Sequence, residues 1–510
     1  MKSQPARRYF IYPILEGVKK HIQIFSVYGR NLRRDLFFGL WSLSIFRARI
    51  FFLLLFFQGL PVFSQVSLVP EKMIFKGLHK TKETIARREM AFGIGQPLSV
   101  KDTAEVFRKC LNNLFNTRLF NTCRYHLDSL NTNDSGRISA IVVFELQERW
   151  YTIPIPILEL ADRNFNEWWY DRNHDFRRIN AGLTIMQKNV RGRNEDLMLG
   201  IQTGFTKRLN FSYFIPYLDK KQIFGIKLQT ILLSNKEVAV RSSNNILQYQ
   251  KDENSFGRER ILSGIQITAR KSIYQYHSLD VNYYYSRVSP FVLNLNPDYF
   301  LGKSFQRYSE IRYSFTLDHR NYRIYATKGW YMQARIGKLG ILPTDNFRLW
   351  TCQASFSTYQ PLGNGFFFAS RFEGELSQNR RLPYLGSRTL GYENRFVRGY
   401  ERNVMEGNSS FHFRNSLRKK IFGKVWETDQ ISLSQFRRIP LDIYLCPFLD
   451  FGGIRNPWVL PENKPLVNNF LLGYGLGLHM VTFYDLIFRT EFTFNRQGGR
   501  GLYFSLISDI

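Results

Sequence analysis

The sequence predicts a mainly β protein: a transmembrane antiparallel β-barrel of about sixteen strands preceded by one small α+β domain. Three observations carry this. From Ile179 onward, residues of one character recur at every second position in short runs, as in Ala181-Leu183-Ile185, Leu197-Leu199-Ile201, Tyr283-Tyr285 and Ile443-Leu445, with Asn-, Asp-, Gly- and Lys/Arg-rich turns between. Aromatic residues reach 16%, with 46 Phe and 28 Tyr, a bias that strand formers and interface girdles both produce. Ahead of these runs, residues 66–150 switch between strand and helix periodicity.

At the N-terminus, residues 51–57 read FFLLLFF, behind Arg47-Ala48-Arg49 and ahead of Gly59 to Gln65. A basic stretch, a short apolar core and a small residue before Gln65 predict a cleavable secretory signal over 46–64. The run is too short to span a bilayer as a permanent helix. A signal does not require residues 1–45, so this doubtful extension is expected to lie upstream of the true start. A membrane-anchoring N-terminal helix is the alternative.

In residues 66–150, Met73 to Leu78 alternates as a first strand. Thr81 to Met90 has helical spacing with Thr81 placed to cap it, and Gly93 to Ser99 reads as a turn. Val100 to Phe115 puts Val106, Cys110, Leu111 and Leu114 on one helical face. Phe120 and Tyr125 lead into a strand, and Ser139 to Leu146 forms the last one. This β-α-α-β-β order, with the segment LFNTRLF before its second strand, closely resembles a POTRA domain. The resemblance implies a periplasmic adaptor whose exposed strand edge accepts an extended client. Bracing the barrel mouth is the competing role. Gly93-Ile94-Gly95 lacks the strand–glycine–helix context of a dinucleotide loop.

The remaining 151–510 suit a barrel, since about 360 residues over about sixteen strands leave room for strands of about ten residues plus loops. No blade-like repeat suggests a propeller. The formal net charge is +30. No zinc-finger spacing, RNP motif or basic arm accompanies it, so nucleic acid is not an expected partner. Anionic lipid phosphates or a cationic lumen account for the charge. The four cysteines, Cys110, Cys123, Cys352 and Cys446, form no C-x-x-C and have no histidine at ligand spacing. Cys110 and Cys123 are able to pair in an oxidising compartment, although buried free thiols are the favoured state. Eight histidines without a motif, no G-x-S-x-G and no Walker sequence argue against an enzyme, and neither metal nor cofactor is expected.

The segment with most information is Phe396-Val397-Arg398-Gly399-Tyr400, followed by Phe448-Leu449-Asp450-Phe451-Gly452-Gly453. A charge inside a barrel needs an opposite charge. Asp450 is the candidate partner of Arg398, whose planar fork matches a carboxylate. This pair resembles the signature of the BamA/TamA outer-membrane superfamily, in which a V-R-G-[FY] loop folds back into the barrel lumen. Supporting pieces follow the same order. Asn189 to Glu195 looks like the family's early hairpin, and Tyr213 to Tyr217 is similar to its strand end before Pro-Tyr. Asp318, Arg320 and Gly329 match "D-x-R-[DN]…P-x-x-G", with Tyr325 and Ala326 where a proline is common. Gly386 matches "L-G-G" with Ser387 replacing a glycine, and Gly452 belongs to the F-x-D-x-G element. The resemblance implies that Val397, Arg398, Gly399 and Tyr400 form a lumen-loop lock with Asp450. Phe413 to Arg418 carries no second acid, so the lock is expected to rest on Asp450 alone.

The family implies a Gram-negative outer-membrane barrel that inserts or translocates other polypeptides without a nucleotide. Its expected partners are extended clients at the POTRA edge and the barrel seam, outer-membrane lipids and accessory lipoproteins. A dedicated secretion pore for a single protein is the alternative. The last strand, Leu502 to Ile510, alternates correctly but ends in Ile510 rather than an aromatic residue.

Overall fold

The computed structural model describes residues 66–132, 137–160, 168–170, 173–252, 254–378, 380–392, 395–427, 430, 437–482 and 486–506. The signal and extension expected over 1–64, and the end of the last strand at 507–510, lie outside the described residues.

The small domain contains β1 (Ser67–Lys76), α1 (Glu83–Arg88), β2 (Leu98–Ser99), α2 (Val100–Asn116), β3 (Phe120–Thr132) and β4 (Arg137–Glu148). The expected order holds, with the two-residue β2 added where a turn was read. The sheet order is β2-β1-β4-β3, with β1 parallel to β4. Apolar spacing on α2 buries Phe107, Cys110 and Leu114 against Phe120, Val142 and Phe144, while Val106 and Leu111 sit at the edge of this core. The helix face is thus rotated toward Phe107 relative to the sequence reading. Thr81 does not cap α1. Lys82 holds that position without a side-chain cap bond, because the Thr81 hydroxyl pairs with Tyr151 Oη at 2.9 Å and accepts from Asn189 Nδ2 at 2.9 Å. All four cysteines are free. Burial pushes the Cys110 thiol up to about 11 and the Cys123 thiol up to about 12.

The barrel runs through β5 (Thr152–Leu160), β6 (Ile179–Lys188), β7 (Asp196–Gly204), β8 (Thr206–Ile215) and β9 (Phe224–Asn235). A side hairpin, β10 (Glu237–Ser243) and β11 (Ile246–Lys251), precedes β12 (Arg258–Ala269) and β13 (Gln275–Val288). After α3 (Pro290–Leu295) come β14 (Phe305–Asp318), β15 (Gly329–Leu339), β16 (Leu349–Gly363), β17 (Phe366–Ser377) and β18 (Ser409–Glu427). The last strands are β19 (Arg438–Arg455), β20 (Phe470–Thr482), β21 (Ile487–Asn495) and β22 (Arg500–Leu506). Excluding the hairpin, these form one sixteen-stranded antiparallel sheet in which each strand pairs with the next. Outward positions such as Leu199, Ile201, Ile265, Ile267, Phe492 and Phe504 are exposed and apolar. Inward positions such as Asn282, Glu310, Arg418 and Glu491 are polar and buried. An apolar band around a polar interior is the pattern of a lipid-facing barrel.

Within this sheet every strand has two paired edges except β5 and β22, between which no ladder forms among the described residues. The sequence of β5, TIPIPILEL, supplies a reason. Its register with β6 continues through Pro154 and Pro156, so the donors that make that ladder come from the residues between them. The two prolines therefore lack their N–H on the edge facing β22, and proline in a sheet belongs on an unpaired edge.

The small domain seats on the turns at one end of the barrel, called here the near end. Arg270, after β12, forms a two-point pair with buried Glu89 at 2.6 and 2.8 Å. Lys82 N–H donates to Gly192 O at 2.9 Å. Asn116, at the end of α2, donates to Asn321 O and accepts from Arg323 N–H, at 3.0 and 3.1 Å. Arg270→Ala leaves buried Glu89 with only the Arg88 guanidinium, at 3.9 Å, at a cost of about 3 kcal/mol. Faster limited proteolysis of the small domain, with the barrel itself unchanged, is the expected outcome.

Candidate functional site

Between β17 and β18 the chain enters the barrel from the far end. Val397, Leu390, Tyr400 and Met405 pack with Ile454, Val467 and Leu471 as a buried cluster. Gly399 makes the turn at φ +94°, a conformation that disfavours side chains. Tyr400 Oη lies 3.3 Å from Leu472 O and bonds to Gln497. Arg398 is thereby driven into the strand wall, 1% exposed.

Its guanidinium meets Asp450 in the fork geometry, Nε to Oδ2 and Nη2 to Oδ1, both 2.7 Å. Nη2 also donates to Ser416 Oγ at 3.0 Å, and Nη1 donates to Glu491 Oε1 at 3.0 Å. The Phe448 ring lies 3.9 Å from the guanidinium carbon. The expectation of a single carboxylate is thus corrected. A second acid is present, from β21 rather than from 413–418, where Ser416 contributes a hydroxyl. Its signal in the sequence was the inward series Arg489, Glu491, Thr493 within an aromatic strand.

Two glycines admit the loop. A Cβ on Gly452 would stand 2.9 Å from Val397 Cγ2. On Gly473, which the sequence reading did not single out, it would stand 1.7 Å from the Arg398 carbonyl oxygen. Val397 to Tyr400, Asp450 and Gly452 therefore converge. Gly386 lies apart, in a short turn over Tyr384–Ser387 in the far-end part of the loop.

Asp318, Arg320 and Gly329 are also separate, at the near-end turn after β14. Asp318 accepts from Arg320 Nε and Nη2 at 2.9 and 3.1 Å and pairs with Arg323 at 3.2 Å. A Cβ on Gly329 would fall 2.1 Å from His319 O. This turn projects Ile324, Tyr325 and Ala326 into the lumen, where Ile324 and Tyr325 pack with Tyr444 and Cys446. Arg418 donates to Ala326 O at 2.9 Å and stacks over the Tyr325 ring at 4.1 Å. Tyr325 Oη lies 3.1 Å from His479 Nδ1, and His479 Nε2 lies 3.3 Å from Glu491 Oε1. Both inserts, one from each end, are thus tied to the same carboxylate. The site holds its buried cations by fixed counter-charge.

Solved structures of similar fold include BamA from Haemophilus ducreyi lacking POTRA domains 1–3, at 13% identity over 86% of this chain and 83% of that one, TM-score 0.47. CdiB from Acinetobacter baumannii gives 13% identity over 87% and 73%, TM-score 0.43. CdiB from Escherichia coli gives 10% over 86% and 89%, TM-score 0.44. No curated protein matches. The Omp85 superfamily domain matches residues 189–501, more than half of the chain and inclusive of the whole Arg398 site. The chain belongs to the Omp85 superfamily of outer-membrane β-barrels.

Proposed function

We propose that this barrel inserts other polypeptides into the Gram-negative outer membrane or passes them across it, without chemistry of its own. The observation that carries the reading is the seam. In an otherwise fully paired sheet, β5 and β22 share no ladder among the described residues, and two prolines deplete the β5 edge of donors. Inside a membrane every backbone group must find a partner, so an unsealed edge favours an added strand. Arg398 acts as the lock of the lumen loop, bracing the wall β18–β21 beside that seam. The small domain serves as a periplasmic POTRA-like module, whose free edge at β3 offers a client the same backbone pairing. Outer-membrane lipids contact the apolar band, and accessory lipoproteins are further partners.

A dedicated secretion pore is the second reading, favoured by there being one small domain ahead of the barrel among the described residues. Depletion followed by quantitative outer-membrane proteomics distinguishes them. Loss of many barrels is expected for insertion, and loss of one surface protein for dedicated secretion. An unchanged membrane and surface proteome contradicts both.

A further inference from the structure

On the far-end side of the Arg398 clamp, the lumen holds a cavity of about 810 Å3. Six arginines line it: Arg260, Arg312, Arg335, Arg371, Arg395 and Arg414. Among the described residues its wall contributes two carboxylates, Glu373 and Glu375. These engage Arg371 and Arg395, and Glu310 engages Arg312. Among the described residues the other three arginines lack a close carboxylate of their own. Arg414 approaches Asp450 only to 3.7 Å, and Asp450 is already held by Arg398. Arg335 reaches neutral Gln353 at 3.4 Å. Arg260 has an Nε sealed from solvent without a partner, as does Arg414. Arg258, Arg388 and Arg208 add like charge around Arg260.

The strand register adds to the imbalance. Arg371 stands directly opposite Arg414 across the β17–β18 ladder. Like charges facing one another across strands are destabilising, and on the Arg414 side burial leaves little water to screen them. Guanidinium forks lining one cavity match an oxyanion, which takes two hydrogen bonds from each fork. A concave cationic wall of low dielectric also concentrates anions.

We propose that this chamber is a binding site for a small multivalent oxyanion of the phosphate class, held by Arg260, Arg335 and Arg414 beside the lumen loop. Binding at this position neutralises the wall against which the loop seats. The site adjoins the Arg398 clamp, since Arg414 lies 3.7 Å from Asp450, and it is independent of what the barrel transports.

Isothermal titration of the full-length protein in detergent with tripolyphosphate, at constant ionic strength, tests it. The wild type is expected to bind. The R260Q/R335Q variant should bind at least about tenfold more weakly, since each charge-assisted contact contributes a large factor. Because the substitutions remove repulsion, the variant should keep or exceed the wild-type heat stability without anion and lose the stabilisation that tripolyphosphate gives the wild type. Absence of wild-type binding, or variant affinity within about twofold of wild type, overturns the site. Equal or tighter binding of a hexa-aspartate peptide overturns the assignment to phosphate chemistry.

Discussion

Arg398→Ala is expected to release the lumen loop and to lower barrel heat stability more than any other single substitution at the site. The loss leaves two carboxylates, Asp450 at 0% and Glu491 at 5% exposure, without their shared cation. Breaking a buried pair by removing one member costs about 3–5 kcal/mol, most of it the burden of the stranded charge. Here two carboxylates lose their main partner, with Arg414 still 3.7 Å from Asp450. The acids should rank unequally. Asp450 takes two 2.7 Å bonds from the guanidinium and two more from backbone N–H groups, Asn415 at 3.1 Å and Arg398 at 3.3 Å, whereas Glu491 takes one at 3.0 Å from Arg398. Asp450→Asn should therefore cost more than Glu491→Gln, as read by the temperature at which the barrel loses its compact electrophoretic form. The Glu491→Gln variant should also loosen the near-end insert, because Glu491 is the acid facing His479 and through it Tyr325.

Gly473→Ala is expected to reproduce the Arg398→Ala phenotype with every charge intact. The added Cβ would fall 1.7 Å from a backbone oxygen of Arg398. Neither side has freedom to yield, because β20 is fixed by Asp450 on β19 and Asn495 on β21. Relief requires the loop to leave its seat, which exposes the cluster around Val397 and Tyr400. Faster hydrogen exchange across 396–400 and reduced heat stability are the expected readouts. Gly374→Ala is the matched control. Its nearest neighbour is the ring end of Phe372 at 3.0 Å, a side chain able to turn away, so near-wild-type behaviour is expected.

The residues legible in the sequence were those whose signal is local. Alternation marked the strands, and the βααββ order marked the small domain. Gly399 takes a positive φ that its own backbone position requires, and V-R-G-Y and F-x-D-x-G-G are both short contiguous motifs, so Arg398 and Asp450 were found together. What escaped depends on register across many strands. Glu491 is one acid in an aromatic strand, and nothing short of the β19–β20–β21 pairing brings it beside Asp450. Gly473 is informative only because a loop from elsewhere passes over it. Tyr325 and Ala326 stood out as departures at a turn, but their entry into the lumen depends on Arg418, His479 and Tyr444, which lie far away in sequence. Thr81 shows tertiary structure overriding a local rule, since Tyr151 and Asn189 engage the hydroxyl that the helix start would otherwise use.

The account rests on Arg398 and Asp450 acting as one unit that holds the loop. A double-mutant cycle with Arg398→Met and Asp450→Leu, scored by barrel heat stability, tests this most directly. Each single substitution strands a buried charge, whereas the double removes both members, so the double should be markedly more stable than the sum of the singles implies, with a coupling of about 2–3 kcal/mol. Additive losses, or single variants as heat-stable as the wild type, would contradict the lock.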